Sequence, residues 1–122
     1  MNIVEVQSKL LNQLSSISVN LYDNTIEPIK EFPAVIVEPA SESYYDHSLG
    51  PSPCKCRFQV FIADVIENND RSISKTRQQV SEILSQISKI WTVSLDGNVE
   101  YSAVKIDGRN AILADFVVVR GE

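Results

Sequence analysis

The stretch from Cys54 to Trp91 constrains the fold most: a long strand, a polar break and a long amphipathic helix follow one another directly. In Cys54-Lys-Cys-Arg-Phe-Gln-Val-Phe-Ile-Ala-Asp-Val-Ile66, residues Cys54, Cys56, Phe58, Val60 and Ile62 fall on one side of a pleated ribbon. Lys55, Arg57 and Gln59 fall on the other, because side chains alternate along a strand. From Phe61 onward the second face turns apolar too, with Phe61, Ala63 and Val65. A strand half buried at its start and buried on both faces later belongs in the middle of a sheet. Glu67-Asn-Asn-Asp70 then breaks the pattern with turn formers. Asp70 or Ser72 supplies the side-chain oxygen that caps the helix behind it. Ile73, Val80, Ile83, Leu84, Ile87 and Trp91 recur at helical spacing as one apolar stripe, and Arg71, Lys75, Arg77, Gln78, Glu82, Gln86 and Lys89 line the remainder. Laid over a sheet, that stripe takes several large side chains out of water, each contributing roughly 1.5–3 kcal/mol.

The flanking segments complete this pair. Ile3, Val6, Leu10, Leu14 and Ile17, widened by Leu11, mark a first helix ending near Ser15-Ser16. Asn2 caps it, and Glu5 three residues later resembles a capping box with Asn in place of Ser or Thr. Ser18-Val-Asn-Leu-Tyr22 reads as a short strand and Asp23-Asn-Thr25 as a loop. Phe32-Pro-Ala-Val-Ile-Val-Glu-Pro39 is a β-branched run and a second strand, with Pro33 confined to its start or to an edge because it donates no ladder hydrogen bond. Ala40 to Pro53 has no periodicity. It is either a long loop or the outer part of an extended hairpin, and loops of that length tend to be functional or mobile. Thr92-Val-Ser-Leu95 extends briefly, Asp96-Gly-Asn98 turns the chain, and Val99–Ile106 is a strand. Asp107-Gly108 is a hairpin turn leading to a last strand, Ala111–Arg120, apolar on both faces through Phe116–Val119. The expected architecture is one α+β domain over residues 1–122. Its single sheet, mostly antiparallel or mixed, has four to five strands packed with two α-helices, and a long loop or hairpin extension occupies 40–53.

At 122 residues the chain suits one core, burying ~65% of the unfolded surface. A formal charge of −5 argues against a duplex-binding face, which needs clustered basic residues. Met1-Asn-Ile-Val-Glu5 lacks a basic start and an apolar segment, so no secretory leader is expected. No apolar run approaches the ~20 residues of a membrane span, and the expected compartment is the cytoplasm. Cys54 and Cys56 point the same way, two apart on one strand, which does not suit disulfide geometry. A metal would need further Cys or His ligands, and His47 is the sole histidine, so the cysteines read as core packing.

No catalytic constellation emerges, and the expectation is a protein that is not an enzyme, with no catalytic, cofactor-binding or metal residues and no cofactor. Asp23, Glu27, Glu31 and Glu38 gather into no acid–base pair and read as solvated. Asp64 and Asp115 lie inside apolar strands. They either share a site with perturbed pKa values or, the reading preferred here, face water or pair with Arg57 or Arg109. There is no Gly-x-Ser-x-Gly elbow, P-loop or Gly-x-Gly-x-x-Gly. Ser43-Tyr-Tyr-Asp-His47 is the most suggestive surface element, since aromatics with polar tips anchor interfaces. Either it meets a partner or one Tyr tucks against the domain's own edge. Tyr44, Tyr45, Asp46 and His47 are the candidate partner interface.

The order of these elements resembles a known family. An amphipathic first helix, a Phe-Pro-Ala-Val-Ile-Val strand ending at Glu-Pro, a long loop, a strand like Cys-Arg-Phe-Gln-Val-Phe-Ile-Ala-Asp, a Ser/Gln-rich helix and a terminal hairpin are similar to the tail terminator (tail completion, neck) proteins of tailed bacteriophages. The resemblance covers nearly the whole chain and is one of size, element order and texture. It implies a structural virion protein that forms a ring, usually a hexamer, on the last disc of the tail tube. Such a ring stops tube polymerisation and meets the head-side connector or stopper. Its partners would be its own copies, the tube protein and the connector, with DNA passing through without sequence-specific binding. Its place would be the tail and neck of the virion, assembled in the host cytoplasm. A head-to-tail interface whose rotation closes gives such a ring. Three other readings remain: a different neck component, a monomeric small-ligand binding module, and, third, a hydrolase or transferase working with scattered groups.

Overall fold

A computed structural model describes residues 2–66 and 72–121, with His47 and Ser72 described by backbone alone. In chain order the elements are α1 (Ile3–Gln13), β1 (Asn20–Tyr22), β2 (Ala34–Ser43), β3 (Lys55–Val65), α2 (Ser72–Ile90), β4 (Ser94–Ile106) and β5 (Arg109–Gly121). The strands form one sheet in the order β1-β2-β3-β5-β4, with β1 parallel to β2 and every other pair antiparallel. The architecture is α+β with a mixed five-stranded sheet, and β3 holds the central place its two-faced apolar pattern demands.

Both helices lie on one face. Val6, Leu10 and Leu14 of the α1 segment and Val80, Ile83, Ile87 and Trp91 of the α2 segment share a core with Val35, Val37, Cys56, Phe58, Val60, Ile62, Ile112, Ala114, Phe116 and Val118. These strand residues have one parity along each strand, as a single covered face requires. Asn2 caps α1 as its position suggests: its Oδ1 accepts the Glu5 backbone N–H at 2.9 Å. The Trp91 indole N–H donates to the Leu10 carbonyl at 3.0 Å, tying the end of α2 to α1.

The opposite face is only partly covered. Arg109 places its guanidinium 4.9 Å over the Phe32 ring and donates to the Lys30 carbonyl at 3.4 Å. The segment before β2 therefore reaches across to the start of β5. Ala34, Ile36, Ala63 and Ala111 are buried at this end, whereas Gln59, Phe61, Leu113, Asp115, Val117 and Val119 farther along remain half-buried.

Two sequence expectations change, one choice between alternatives is settled, and one expectation falls outside the described residues. Asp96-Gly-Asn98 does not turn the chain. It is absorbed as an irregularity within a single 13-residue strand, between Asp96 and Glu100, with Gly97 taking φ +94 at no steric cost. Strand β2 starts at Ala34, after the cis-linked Pro33, and runs on to Ser43, so Ala40–Ser43 belongs to an extended hairpin and only 44–54 is loop. Ile73 is 51% exposed, and the buried position on that turn of α2 is Thr76, which the apolar stripe omitted. The Glu67–Asp70 break and the capping role of Asp70 lie outside the described residues, as does that of the Ser72 side chain.

Candidate functional site

The tip of the β2–β3 hairpin is anchored at its root and exposed at its end. The Cys54 backbone N–H donates to the Ser43 carbonyl at 2.7 Å, the Cys54 thiol reaches the same oxygen at 3.0 Å, and Arg57 Nη1 donates to Ser43 Oγ at 3.4 Å. Beyond that root, Tyr45–His47 forms one turn of 3₁₀ helix, closed by Ser48 N–H and Oγ, each donating to the Tyr45 carbonyl at 3.1 Å. Asp46 sits at φ 52, a left-handed conformation that aspartate tolerates better than most residues.

The four candidate residues divide. Tyr44 has extended backbone (φ −121, ψ 154) and is half-buried, and its hydroxyl donates to Glu42 Oε2 at 3.0 Å. That bond to a carboxylate, with some desolvation, holds the phenol above the ordinary tyrosine value. Tyr44 is thus held by its own hairpin arm. Tyr45 is 65% exposed and Asp46 is exposed beside it, while only the backbone of His47 is described. Leu49, 89% exposed, joins Tyr45 on the tip. It lay in the aperiodic stretch, where no pattern singled it out.

The carboxylates do not converge. Asp64 stands opposite Ile112 and Asp115 opposite Phe61, so their side chains leave opposite faces of the sheet. Asp64 Oδ1 accepts the Val65 N–H at 2.9 Å. Arg57 pairs with Asp96 at 2.9 Å rather than with Asp64 or Asp115, and Arg109 serves Phe32 and Lys30. Among the described residues no group of three or more His, Cys, Asp or Glu side chains is gathered to hold a metal. Cys56 is buried in the core, where burial first and the Glu42 carboxylate second push its thiol up.

What the fold does present is backbone. At one margin β1 covers only Ala34–Ile36 of β2. The next carbonyl, Val37, is taken by the Gln7 side-chain amide at 2.8 Å, which also donates to the Asp23 carbonyl at 2.9 Å. From Glu38 to Tyr44 the outer side of β2 carries no further strand among the described residues. At the other margin β4 pairs, among the described residues, only with β5 and is exposed along most of its length, regular from Glu100 to Ile106. Beside it, Ser74, Arg77, Gln78 and Ser81 of α2 and the 40%-exposed Tyr101 line an open groove of about 430 Å³. The sequence offers sheet edges near Phe32–Pro39 or on the terminal hairpin for subunit contact, and the structure places the uncovered stretches at Glu38–Tyr44, beyond that first run, and at Glu100–Ile106. The weak alternation of Val99–Ile106 is the mark of a strand with little buried on either face.

No family model matches the chain, and no curated protein matches it. Among the described residues no helix is long and apolar enough to cross a membrane.

Proposed function

We propose that this chain is a structural virion protein of a tailed bacteriophage, a ring-forming tail terminator. It caps the tail tube, stops its polymerisation and joins it to the head-side connector. It acts through surfaces rather than chemistry: copies close head to tail into a ring, taken as a hexamer, and the ring covers the face on which the next tube disc would grow. Its partners are its own copies, the tube protein and the connector or stopper, and its place is the neck of a virion assembled in the host cytoplasm. DNA passes the ring without sequence-specific contact, in keeping with the formal charge of −5.

The observation that carries this reading is the pair of uncovered strand margins on opposite sides of one sheet, Glu38–Tyr44 and Glu100–Ile106. Unpaired strand margins are templates for further pairing, and two unlike ones on one protomer suit a contact that repeats from copy to copy. The exposed hairpin tip at Tyr45, Asp46 and Leu49 is then the part that reaches the tube or connector. The element order and the resemblance it carries supply the rest.

The test adds the purified protein to polymerising tail-tube subunits and images the products by negative stain. Shortened tubes with extra density at one end are the expected result. Long, unmodified tubes overturn the proposal, and binding to isolated connectors alone assigns the protein to another position in the neck.

A further inference from the structure

We propose that the Glu100–Ile106 margin of β4 pairs antiparallel with the Glu38–Tyr44 margin of β2 in a second copy of the chain, in the register that sets Lys105 opposite Glu42. This rests on the reading of the chain as one that assembles with its own copies, and it names the surfaces that do so.

Three observations lead to it. First, the faces match. Glu42 stands opposite Cys56, and Ala103 opposite Ile112, so Glu42 and, two residues beyond Ala103, Lys105 both leave the helix-covered side of the sheet. Residues that face each other across a strand pair must share a side, and this register satisfies that rule. It also sets Val104 opposite Ser43 and Ala103 opposite Tyr44, whose backbone is already extended. Second, the charges match. Lys105 forms no salt bridge within its own chain among the described residues, and Glu42 carries a negative charge toward the same side. Third, the margins suit each other better than themselves. The β2 margin carries Glu38 and Glu42, whose like charges oppose pairing with an identical margin.

The space is also limited in the right way. In this register the Asp107-Gly108 turn of the incoming hairpin lies beside Pro39 and Ala40, short of the Ala34–Ile36 stretch that β1 occupies. Pairing across a two-fold axis, β4 to β4, would leave Glu38–Tyr44 uncovered. The heterologous pairing engages both margins, Ser41–Tyr44 against Ala103–Ile106, and leaves one of each at the ends of every unclosed string, which is the condition for ring closure.

The experiment uses Glu42→Cys and Lys105→Cys, each in a full-length Cys54→Ser, Cys56→Ala background whose folding is checked by circular dichroism. The two chains are mixed in equal amounts at rising concentration and treated with bismaleimidoethane. The mixed E42C–K105C product should exceed either homodimer at least about tenfold. The double variant should give a ladder ending at a fixed ring size. As a second arm, Lys105→Glu should weaken association about tenfold by analytical ultracentrifugation, and adding Glu42→Lys should restore it. K105C homodimers as the main product overturn the proposal in favour of two-fold pairing. Rings or strings formed without the mixed product overturn it too, while leaving self-assembly standing. A monomer at every concentration, with no cross-linked product, overturns both.

Discussion

The two long hairpins of this sheet hold their register by different means. In the β2–β3 hairpin the connecting loop is long, spanning 44–54, and the strands are buried: Ala34–Val37 completely, and β3 at every second residue. Slipping either strand by one residue would turn a fully buried set such as Phe58, Val60 and Ile62 to the wrong face, so burial alone specifies the pairing. In the β4–β5 hairpin the outer strand is exposed almost throughout, and burial cannot set its alignment. There a two-residue turn does so, with Asp107 at φ 51 and Gly108 at φ 77, the left-handed pair whose twist matches that of the flanking strands. One hairpin is held by its flanks, the other by its tip. Each also carries one irregularity, at Pro39/Ser41 and Asp96/Glu100, and beyond each lies a strand margin with no neighbour among the described residues.

Four measurements would break this contrast or sharpen it. The largest effect belongs to Phe58→Ala, which empties a fully buried site on β3. Urea denaturation should show a loss of about 3–5 kcal/mol. Next comes Gly108→Ala, which puts a side chain at φ +77 with open space around it, so the cost is backbone strain alone, about 1 kcal/mol. If Gly108→Ala cost as much as Phe58→Ala, the β4–β5 register would be a core property after all, and the contrast would fail. Smaller still is the coupling between Arg57 and Asp96, an ion pair whose side chains are 35% and 50% exposed. A double-mutant cycle should return about 0.2–1 kcal/mol, falling with added salt. The last readout is a titration. Because the Tyr44 hydroxyl donates to Glu42, its folded pKa lies above the unfolded one. The bond's contribution is therefore complete below the unfolded value of about 10 and is lost as pH rises through the folded one. Glu42→Gln should move the Tyr44 transition, followed by NMR of labelled tyrosine, back toward the ordinary value.

How much of this was legible in the chain depends on what each segment buries. The central strand, the capped first helix and the Asp107-Gly108 turn all carry local signals, periodic burial or a required backbone angle, and these appear in the fold as expected. Asp96-Gly-Asn98 misled because the same residues that turn a chain also let a strand take in extra residues. Only the partner strand decides between the two, and that partner is β5. Ala40–Ser43 stayed undecided between loop and extended hairpin because its outward residues touch little and bury nothing. Asp64 and Asp115 were open to two readings until the register placed them on opposite faces. The candidate tip was half legible: Tyr45 faces outward, but the Tyr44 bond to Glu42 depends on a hairpin arm that no periodicity announced. Edges near Phe32–Pro39 and on the terminal hairpin were legible, but the extent of the uncovered margins, Glu38–Tyr44 and Glu100–Ile106, was hidden for a related reason. An uncovered strand is defined by the neighbour it lacks, which is a property of the whole sheet.

Gln7 gives β2 an end-stop. Its amide holds the carbonyls of Val37 and Asp23 together, plugging the last hydrogen-bonding position before β1 takes over. Any chain zipping along β2 from the hairpin tip must halt there. A ruler of this kind, built from one buried side chain on a different element, turns an open-ended ladder into a docking length of fixed size.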